Sequence, residues 1–355
     1  MFEIAADFDS PFVDGSGSFP LHGDGHPLVE RLAGRVEDCG IVLDLDGDVK
    51  QPIPRVEGES EMGLEGIVES LVFDPSGKVL ASLGYDGVIR LWDVVNGGEI
   101  GHRRLHEGGF LSACFTPDGK AIVTGGREEI AFWDVSKGDE PAERWPSELV
   151  RQMEFSSDGK FLLTADRATD VRLWSTDNRS IVESFDASSL GATRLKFIPD
   201  GICWASIDGE TRVHFWMKKS ASPPVEYLLP GNHDFVLAFS KEANQLYAGS
   251  QSGYIQSLEI KSGKLGRRFD IGGRITCLEV SPSGRILAFG LNKGILGFLD
   301  TETGQVLSSR RGHPDGISAL AFSRDGRLLA SGSNDSSIKI WDVPGLNPTR
   351  LASLP

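Results

Sequence analysis

The stretch FSRDGRLLASGSNDSSIKIWDV, Phe322 to Val343, decides the fold of this chain. It opens with a Phe and a turn ending in Gly, continues as LLASGS, turns again, and ends as IKIWDV. Alternation of Ile and Trp with polar residues, bounded by Gly, Asp and Ser, is the pattern of short β-strands. The stretch therefore predicts two adjacent strands with a tight turn before each of them.

The Phe–turn–Gly element recurs along the chain at a nearly fixed period. Complete copies start at Phe73, Phe115, Phe155, Phe197 and Phe322, and degenerate copies at Phe239 and Val280. Successive copies lie 40 to 42 residues apart. Self-similarity at such a period is the signature of a repeat architecture, in which each copy is one supersecondary unit.

Each unit contains four candidate strands. In the last unit ISALAF at 317–322 precedes the turn, and LLASGS and IKIWDV follow it. A weaker fourth strand follows the third in earlier units, for example EIGHRR at 99–104. Four short strands in about 42 residues match one blade of a propeller. We expect an all-β fold, a seven-bladed β-propeller of four-stranded antiparallel blades.

The residues of the repeat resemble the WD-repeat (WD40) family over about residues 60–355. The family pattern is a Gly-His pair followed some 28 residues later by a Trp-Asp pair. Gly312–His313 and Trp341–Asp342 match it completely, and Trp92–Asp93 and Trp133–Asp134 keep its second half. Trp174 and Trp216 keep only the Trp, while Leu258 and Leu299 replace it in units five and six.

The resemblance implies a buried structural network in each blade. A Ser or Thr on the second strand accepts the indole N–H of the Trp, and a His before the first strand and an Asp in the second turn complete the chain. In the last unit these are His313, Ser331, Asp335 and Trp341. Partial sets in earlier units are Ser82, Asp86 and Trp92, then His106, Thr124 and Trp133. We interpret the His–Ser–Asp combination as packing chemistry and not as a hydrolase triad.

The charge of the chain is concentrated near its beginning. The formal net charge is −15, and residues 1–60 carry 13 Asp and Glu against 4 Lys and Arg. An acidic surface repels phosphates and anionic lipid, so nucleic acid and membrane are not expected partners. We expect an acidic, loosely ordered Gly/Asp-rich segment at 1–40 and the propeller at 41–355. With no secretory signal pattern, we expect a cytoplasmic protein.

No metal or cofactor is expected. The four cysteines, Cys39, Cys114, Cys203 and Cys277, form no CxxC pair. DLDGD at 44–48 imitates the start of a calcium loop, but Val49 and Arg55 stand where Gly and Glu are needed. HGDGH at 22–26 could present two His and an Asp to a metal, although a Gly-rich tail produces such spacing by accident.

The sequence favours a non-enzymatic scaffold that binds a protein or peptide, since it contains no phosphate loop, GxSxG or HExxH motif. The alternative is a propeller enzyme or metal-dependent binder, with a site at the central channel or in the N-terminal segment. The resemblance implies partner binding on the face built by the loops entering the first strands and by the second turns. Spacing places there Tyr85, Arg127, Arg151, Arg167, Arg194, Arg274 and Lys293, with Phe110 and Phe235 nearby. These cations form a candidate docking ring for an acidic peptide, and the alternative is that they are ordinary surface charge.

The last unit needs a fourth strand from elsewhere in the chain. Closure of the ring removes exposed sheet edges that would otherwise favour aggregation. Two segments could supply the strand, VKQPIPRV at 49–56 or TRLASL at 349–354. The first is the expected one, because WD-repeat proteins commonly close in that way.

Overall fold

The computed structural model describes residues 67–344, apart from short gaps at 105–111, 127, 138–140, 148–149, 167–169, 187–191, 199–200, 208–211, 218–224, 230–234, 241–243 and 261. Over most of residues 185–228 the description covers the backbone only. All described residues belong to one compact unit, Asp38–Pro355. The acidic segment at 1–40, DLDGD, HGDGH and both candidate closing segments lie outside the described residues, so those predictions stay predictions.

The described chain consists of strands joined by turns. The first four sheets are sheet 1 with Val68–Phe73 (β1), Val79–Gly84 (β2), Val88–Asp93 (β3) and Glu99–Arg104 (β4); sheet 2 with Ser112–Phe115 (β5), Ala121–Gly125 (β6), Glu129–Asp134 (β7) and Glu143–Pro146 (β8); sheet 3 with Val150–Phe155 (β9), Phe161–Asp166 (β10), Asp170–Ser175 (β11) and Ser180–Asp186 (β12); and sheet 4 with Ala192–Ile198 (β13), Gly201–Ile207 (β14), Arg212–Met217 (β15) and Val225–Leu228 (β16).

The remaining strands form three more sheets. These are sheet 5 with Phe235–Ser240 (β17), Gln245–Ser250 (β18), Tyr254–Glu259 (β19) and Leu265–Asp270 (β20); sheet 6 with Ile275–Val280 (β21), Ile286–Leu291 (β22), Ile295–Asp300 (β23) and Val306–Arg311 (β24); and sheet 7 with Ile317–Phe322 (β25), Leu328–Ser333 (β26) and Ile338–Asp342 (β27). In every sheet consecutive strands pair antiparallel in chain order. The all-β prediction is confirmed. The seventh sheet shows three strands in the described residues, so seven complete four-stranded blades stay a prediction.

The Phe–turn–Gly element is the turn between the first and second strands. Its Gly has a positive φ in the turns of sheets 1, 2, 3, 6 and 7, for example 72° at Gly77 and 74° at Gly326. Only Gly enters this left-handed region without strain, which explains its place in the repeat. A side chain also closes the turn: in sheet 7 the Ser323 hydroxyl donates to Asp325 Oδ1 at 2.7 Å, and that oxygen accepts the Arg327 N–H at 3.1 Å.

The first strands of the sheets contact one another in a closed ring. β1 contacts β5, β5 contacts β9, and the series continues through β13, β17, β21 and β25 back to β1. The core lies between neighbouring sheets. Val68, Leu71 and Trp92 of sheet 1, for example, pack in one cluster with Ala319 and Ala330 of sheet 7. The first and last described sheets are therefore neighbours in space.

A bulge recurs near the beginning of the first strand, as in β1, β9, β13, β21 and β25. Such a bulge re-aims the side chain of the extra residue. In sheet 6 the extra residue is Thr276, whose hydroxyl donates to the Ile317 carbonyl of sheet 7 at 2.5 Å. In sheet 7 it is Ser318, whose hydroxyl donates to the Val68 carbonyl of sheet 1 at 2.6 Å. The bulges thus link neighbouring sheets.

These contacts also show that the sheets share one orientation. The beginnings of neighbouring first strands meet at one end, as at Thr276 and Ile317. At the other end the first turns meet, because a Cβ on Gly159 would lie 3.5 Å from Pro117. We name the first end the upper end; it also contains the turns between second and third strands. The other is the lower end.

Candidate functional site

The polar network expected in the last unit is present in sheet 7. Trp341 Nε1 donates to Ser331 Oγ at 2.7 Å, and Ser331 Oγ lies 2.7 Å from His313 Nε2. His313 Nδ1 lies 3.3 Å from Asp335 Oδ2. Because the Asp335 carboxylate can only accept, we assign the imidazole proton to Nδ1, so that Nε2 accepts the Ser331 hydroxyl proton.

This network has no access to a substrate. Ser331 is fully buried and His313 is 1% exposed. The Ser331 oxygen accepts the indole N–H, and its hydroxyl bonds to the imidazole, so both of its hydrogen-bonding positions have partners inside the sheet. The set therefore stiffens the sheet, because linked hydrogen bonds among buried polar groups support one unique packing.

Ser337 is a member of the network that sequence reasoning missed. Its hydroxyl lies 2.9 Å from His313 Nδ1 and donates to Asp335 Oδ1 at 2.5 Å. Burial raises the pKa of Asp335, but hydrogen bonds from His313 and Ser337 outweigh it and lower the pKa to about 2. A Ser two residues after the turn Asp was the signal that could have found it.

The indole bond recurs in three earlier sheets. Trp92 donates to Ser82 Oγ at 2.8 Å and Trp133 to Thr124 Oγ1 at 2.9 Å, as expected. In sheet 3 Trp174 donates to Thr164 Oγ1 at 3.0 Å, a pair that we had not assigned. The hydroxyl is the fourth residue of the second strand in sheets 1, 2, 3 and 7, so its position could be read from the repeat. His106 lies outside the described residues.

In sheets 1 and 3 an arginine, and not a histidine, forms the ion pair with the buried aspartate. Arg90 Nη2 lies 2.9 Å from Asp86 Oδ2, and both side chains are almost fully buried. In sheet 3 Arg172 Nη2 lies 3.3 Å from Asp166 Oδ2. Both arginines stand two residues before the Trp of the third strand, and Lys339 stands there in sheet 7. The cation at that position was the signal that sequence reasoning overlooked.

In sheets 5 and 6 the network is absent from the described residues and apolar side chains fill its place. Leu258 and Leu299 replace the Trp, and Ala248 and Phe289 replace the hydroxyl residue. All four are no more than 1% exposed. Losing both partners of a hydrogen bond together leaves no buried group without a partner. These sheets are therefore packed in a different way rather than left incomplete.

The upper end contains four exposed members of the predicted partner-binding set. Tyr85 lies in the turn between β2 and β3, where its N–H donates to the Ile67 carbonyl, and its side chain is 42% exposed. Arg151 is the bulge residue of β9. Arg274 precedes β21 and Lys293 lies in the turn after β22. All three cations are exposed.

For the other five members of that set, the side chain is either buried or not described. Phe235 is buried, with its ring 6.1 Å from the Tyr254 ring in an edge-to-face arrangement. Phe235 had been predicted to lie near the partner-binding residues, but its side chain packs in the core of sheet 5. Phe110, Arg127 and Arg167 lie outside the described residues, and only the backbone of Arg194 is described.

Within the described part of the chain, no group of three or more His, Cys, Asp or Glu side chains is placed to hold a metal ion. Cys114 and Cys277 are not in disulfide bonds, and burial raises the pKa of the Cys114 thiol. Among the same residues no helix has the length and apolar character needed to cross a membrane.

Comparison with known proteins supports the repeat architecture. The family model of the WD domain, G-beta repeat, matches residues 59–93, 145–175 and 304–342. Apoptotic protease-activating factor 1 of Mus musculus is 24% identical over 290 residues, which cover 76% of this chain and 22% of that protein. Serine-threonine kinase receptor-associated protein of Gallus gallus is 24% identical over 338 residues, 91% of this chain and 82% of that protein. The human form of the latter is 24% identical over 334 residues.

The chain thus spans about a fifth of the first relative and most of the second. The matched stretches contain Trp92, Trp174 and Trp341, three of the indoles bonded to a hydroxyl on the second strand. Together with the antiparallel sheets and the 40- to 42-residue period, these matches show that the chain contains WD40 repeats.

Proposed function

We propose that this protein is a non-enzymatic, cytoplasmic scaffold that binds a protein or peptide partner at the upper end of its sheets. WD40 repeats generally serve protein interaction, and one relative is named for its association with a serine-threonine kinase receptor. A closed ring of sheets keeps its frame when its loops vary, which suits a surface that presents binding residues.

One observation carries the proposal: exposed side chains from three different sheets come to the same end of the ring. Tyr85 belongs to sheet 1, Arg151 to sheet 3, and Arg274 and Lys293 to sheet 6. Tyr and Arg are enriched in the residues that dominate binding energy, and Arg offers two parallel bonds to a carboxylate. The exposed Asp315 lies at the same end. The three cations favour an acidic segment as the partner.

The proposal includes seven blades, the seventh completed by residues 49–56. β27 pairs only with β26 among the described residues, so its outer edge is open there. An open edge of backbone N–H and C=O groups favours pairing with another strand. VKQPIPRV at 49–56 precedes β1, the neighbour of sheet 7, and the alternative is TRLASL at 349–354.

The test is a charge-reversal comparison between the two ends. The upper-end variant is Arg151→Glu, Arg274→Glu and Lys293→Glu in one chain. The control reverses three exposed cations of the lower end, Lys78→Glu, Arg285→Glu and Arg327→Glu. Each tagged protein is purified from cells, and its co-purifying proteins are quantified by mass spectrometry. We expect the recovered amount of at least one partner of the unaltered chain to fall by tenfold or more with the upper-end variant and not with the control. Equal recovery with both variants would overturn the proposal.

A further inference from the structure

A cavity of about 470 Å³ opens at the lower end between sheets 2 and 3. It is lined by the first turns of both sheets and by two aromatic rings, with Thr116, Pro117, Asp118, Phe132, Phe155, Asp158, Gly159 and Thr176 around it. We propose that this cavity binds an arginine side chain projected by a partner protein, and that it is an interaction site separate from the upper end.

The aromatic part of the lining is held firmly in place. Phe132 and Phe155 are half-buried, so part of each ring remains available to a ligand. Phe132 contacts Trp145 with ring centroids 4.5 Å apart, and Trp145 stacks on Trp174 at 5.7 Å. Because this stack joins sheet 2 to sheet 3, the floor is formed before a ligand arrives, which lowers the cost of ordering on binding.

The rim of the cavity provides two carboxylates in equivalent positions. Asp118 Oδ1 accepts the Thr116 hydroxyl at 2.7 Å and the Lys120 N–H at 3.1 Å. Asp158 Oδ1 accepts the Ser156 hydroxyl at 2.7 Å and the Lys160 N–H at 3.1 Å. Since one oxygen takes both internal bonds, Oδ2 of each carboxylate can accept from an outside donor. Asp118 Oδ2 lies 3.4 Å from the exposed Nζ of Lys120, a contact that solvent weakens.

Both carboxylates are charged at neutral pH. The hydroxyl bond from Thr116 lowers the pKa of Asp118, and the one from Ser156 lowers the pKa of Asp158. Two negative charges beside aromatic rings suit a cation that also stacks. The planar guanidinium does both, because it lies over aromatic faces and binds carboxylates through two parallel N–H bonds, whereas an ammonium is a strongly hydrated point charge.

The exposure of the rim favours a protein side chain over a free metabolite. The Asp118 side chain is 55% exposed, and Asp158 is exposed as well. Pockets for small molecules usually bury most of the ligand surface. A side chain attached to a partner needs less burial, because other contacts of the partner add to its affinity.

The test uses three peptides, Gly-Gly-Arg-Gly-Gly and its matched forms with lysine or citrulline at the centre. Each is titrated into the isotope-labelled full chain at low salt, and amide shifts are followed by NMR. We expect saturable shifts at residues 116–120 and 156–161 with the arginine peptide. Lysine should bind at least threefold more weakly, and uncharged citrulline should give no saturation.

Variants test whether peptide binding depends on this cavity or on general charge attraction. The double variant Asp118→Asn, Asp158→Asn keeps the Oδ1 acceptor that holds each turn. It should nevertheless lower the affinity for the arginine peptide at least tenfold. Asp325→Asn is the matched control, because it has the same two turn bonds in sheet 7 but lies outside the cavity lining. Equal binding of arginine and lysine peptides, or unchanged binding by the double variant, would overturn the proposal. The upper-end charge reversals should leave this titration unchanged.

Discussion

The Ser318 hydroxyl donates a hydrogen bond of 2.6 Å to the Val68 carbonyl, 250 positions earlier in the chain. It joins the last described sheet to the first. Thr276 makes the corresponding bond from sheet 6 to Ile317 of sheet 7. The closing junction is therefore built from the same kind of bond as a junction between consecutive sheets.

We expect Ser318→Ala to lower the free energy of unfolding by about 1 kcal/mol, the net contribution of one such hydrogen bond. Val68 is fully buried, so no water replaces the lost donor easily. Urea denaturation followed by tryptophan fluorescence measures the change. Ser252→Ala at an exposed turn position is the control and should change stability by less than about 0.5 kcal/mol. A Ser318 variant as stable as this control would show that the bond adds nothing to closure.

Ser331→Ala should cost about 2–3 kcal/mol, because it leaves the Trp341 indole N–H and His313 Nε2 buried without their shared partner. Trp341→Phe removes the N–H and retains most of the ring. In that background Ser331→Ala should cost at least about 1 kcal/mol less, since part of the interaction has already been removed. Strictly additive costs in this double-mutant cycle would contradict the network.

Arg90→Met should destabilise the protein by about 3–5 kcal/mol, because it leaves the Asp86 carboxylate buried without its cation. Adding Asp86→Asn should recover a large part of the loss. Arg285→Met is the matched control, since Arg285 forms a 3.4 Å pair with Asp300 while its side chain is 63% exposed. An exposed pair contributes at most about 1 kcal/mol. Similar losses at Arg90 and Arg285 would disprove a special role for the buried pair.

Stability should fall in acid through Asp335. Its folded pKa of about 2 lies below the ordinary value of 3.8, because His313 and Ser337 bond to the carboxylate. A carboxyl group whose pKa is lowered by folding stabilises the protein fully at pH values above its ordinary pKa. This stabilisation is lost as the pH falls from about 4 toward 2. Denaturant midpoints measured across this range should decline less steeply for Asp335→Asn than for the unaltered chain. Asp270→Asn, at an exposed position, should retain the steep decline.

Deleting residues 1–60 should lower the melting temperature by many degrees or make the protein insoluble, because the open edge of β27 would lose its expected partner. Deleting 348–355 should change little. Differential scanning fluorimetry of both truncated chains decides between the two closing segments. If the C-terminal deletion is the damaging one, residues 349–354 supply the strand.

The fold was predictable because its determinants are local and repeated. In five sheets the Phe–turn–Gly copy marks a turn with a left-handed Gly, and the alternating runs become strands, so periodicity alone predicted the sheets. Trp341, Ser331, His313 and Asp335 were predictable for the same reason, since the family pattern fixes their spacing.

Features that depend on the packing of individual side chains were not predictable. Asp86 was assigned to the network by its position in the repeat, but the family pattern gives no cation at position 90, so its partner Arg90 was missed. Phe235 was placed near the surface by spacing, but its ring packs against Tyr254. Asp118 and Asp158 stand one repeat apart, so neighbouring turns were predictable, but the cavity between them was not, because it depends on how the side chains around it pack.

The bond from Ser318 to Val68 also bears on proteolysis. In an open row of sheets, one cut in a loop separates the chain into two pieces held together at a single junction. In a ring the same cut leaves each piece bound to the other at two junctions. A protease that nicks one exposed loop would therefore leave the assembly intact, and fragments would separate only after a second cut or after denaturation.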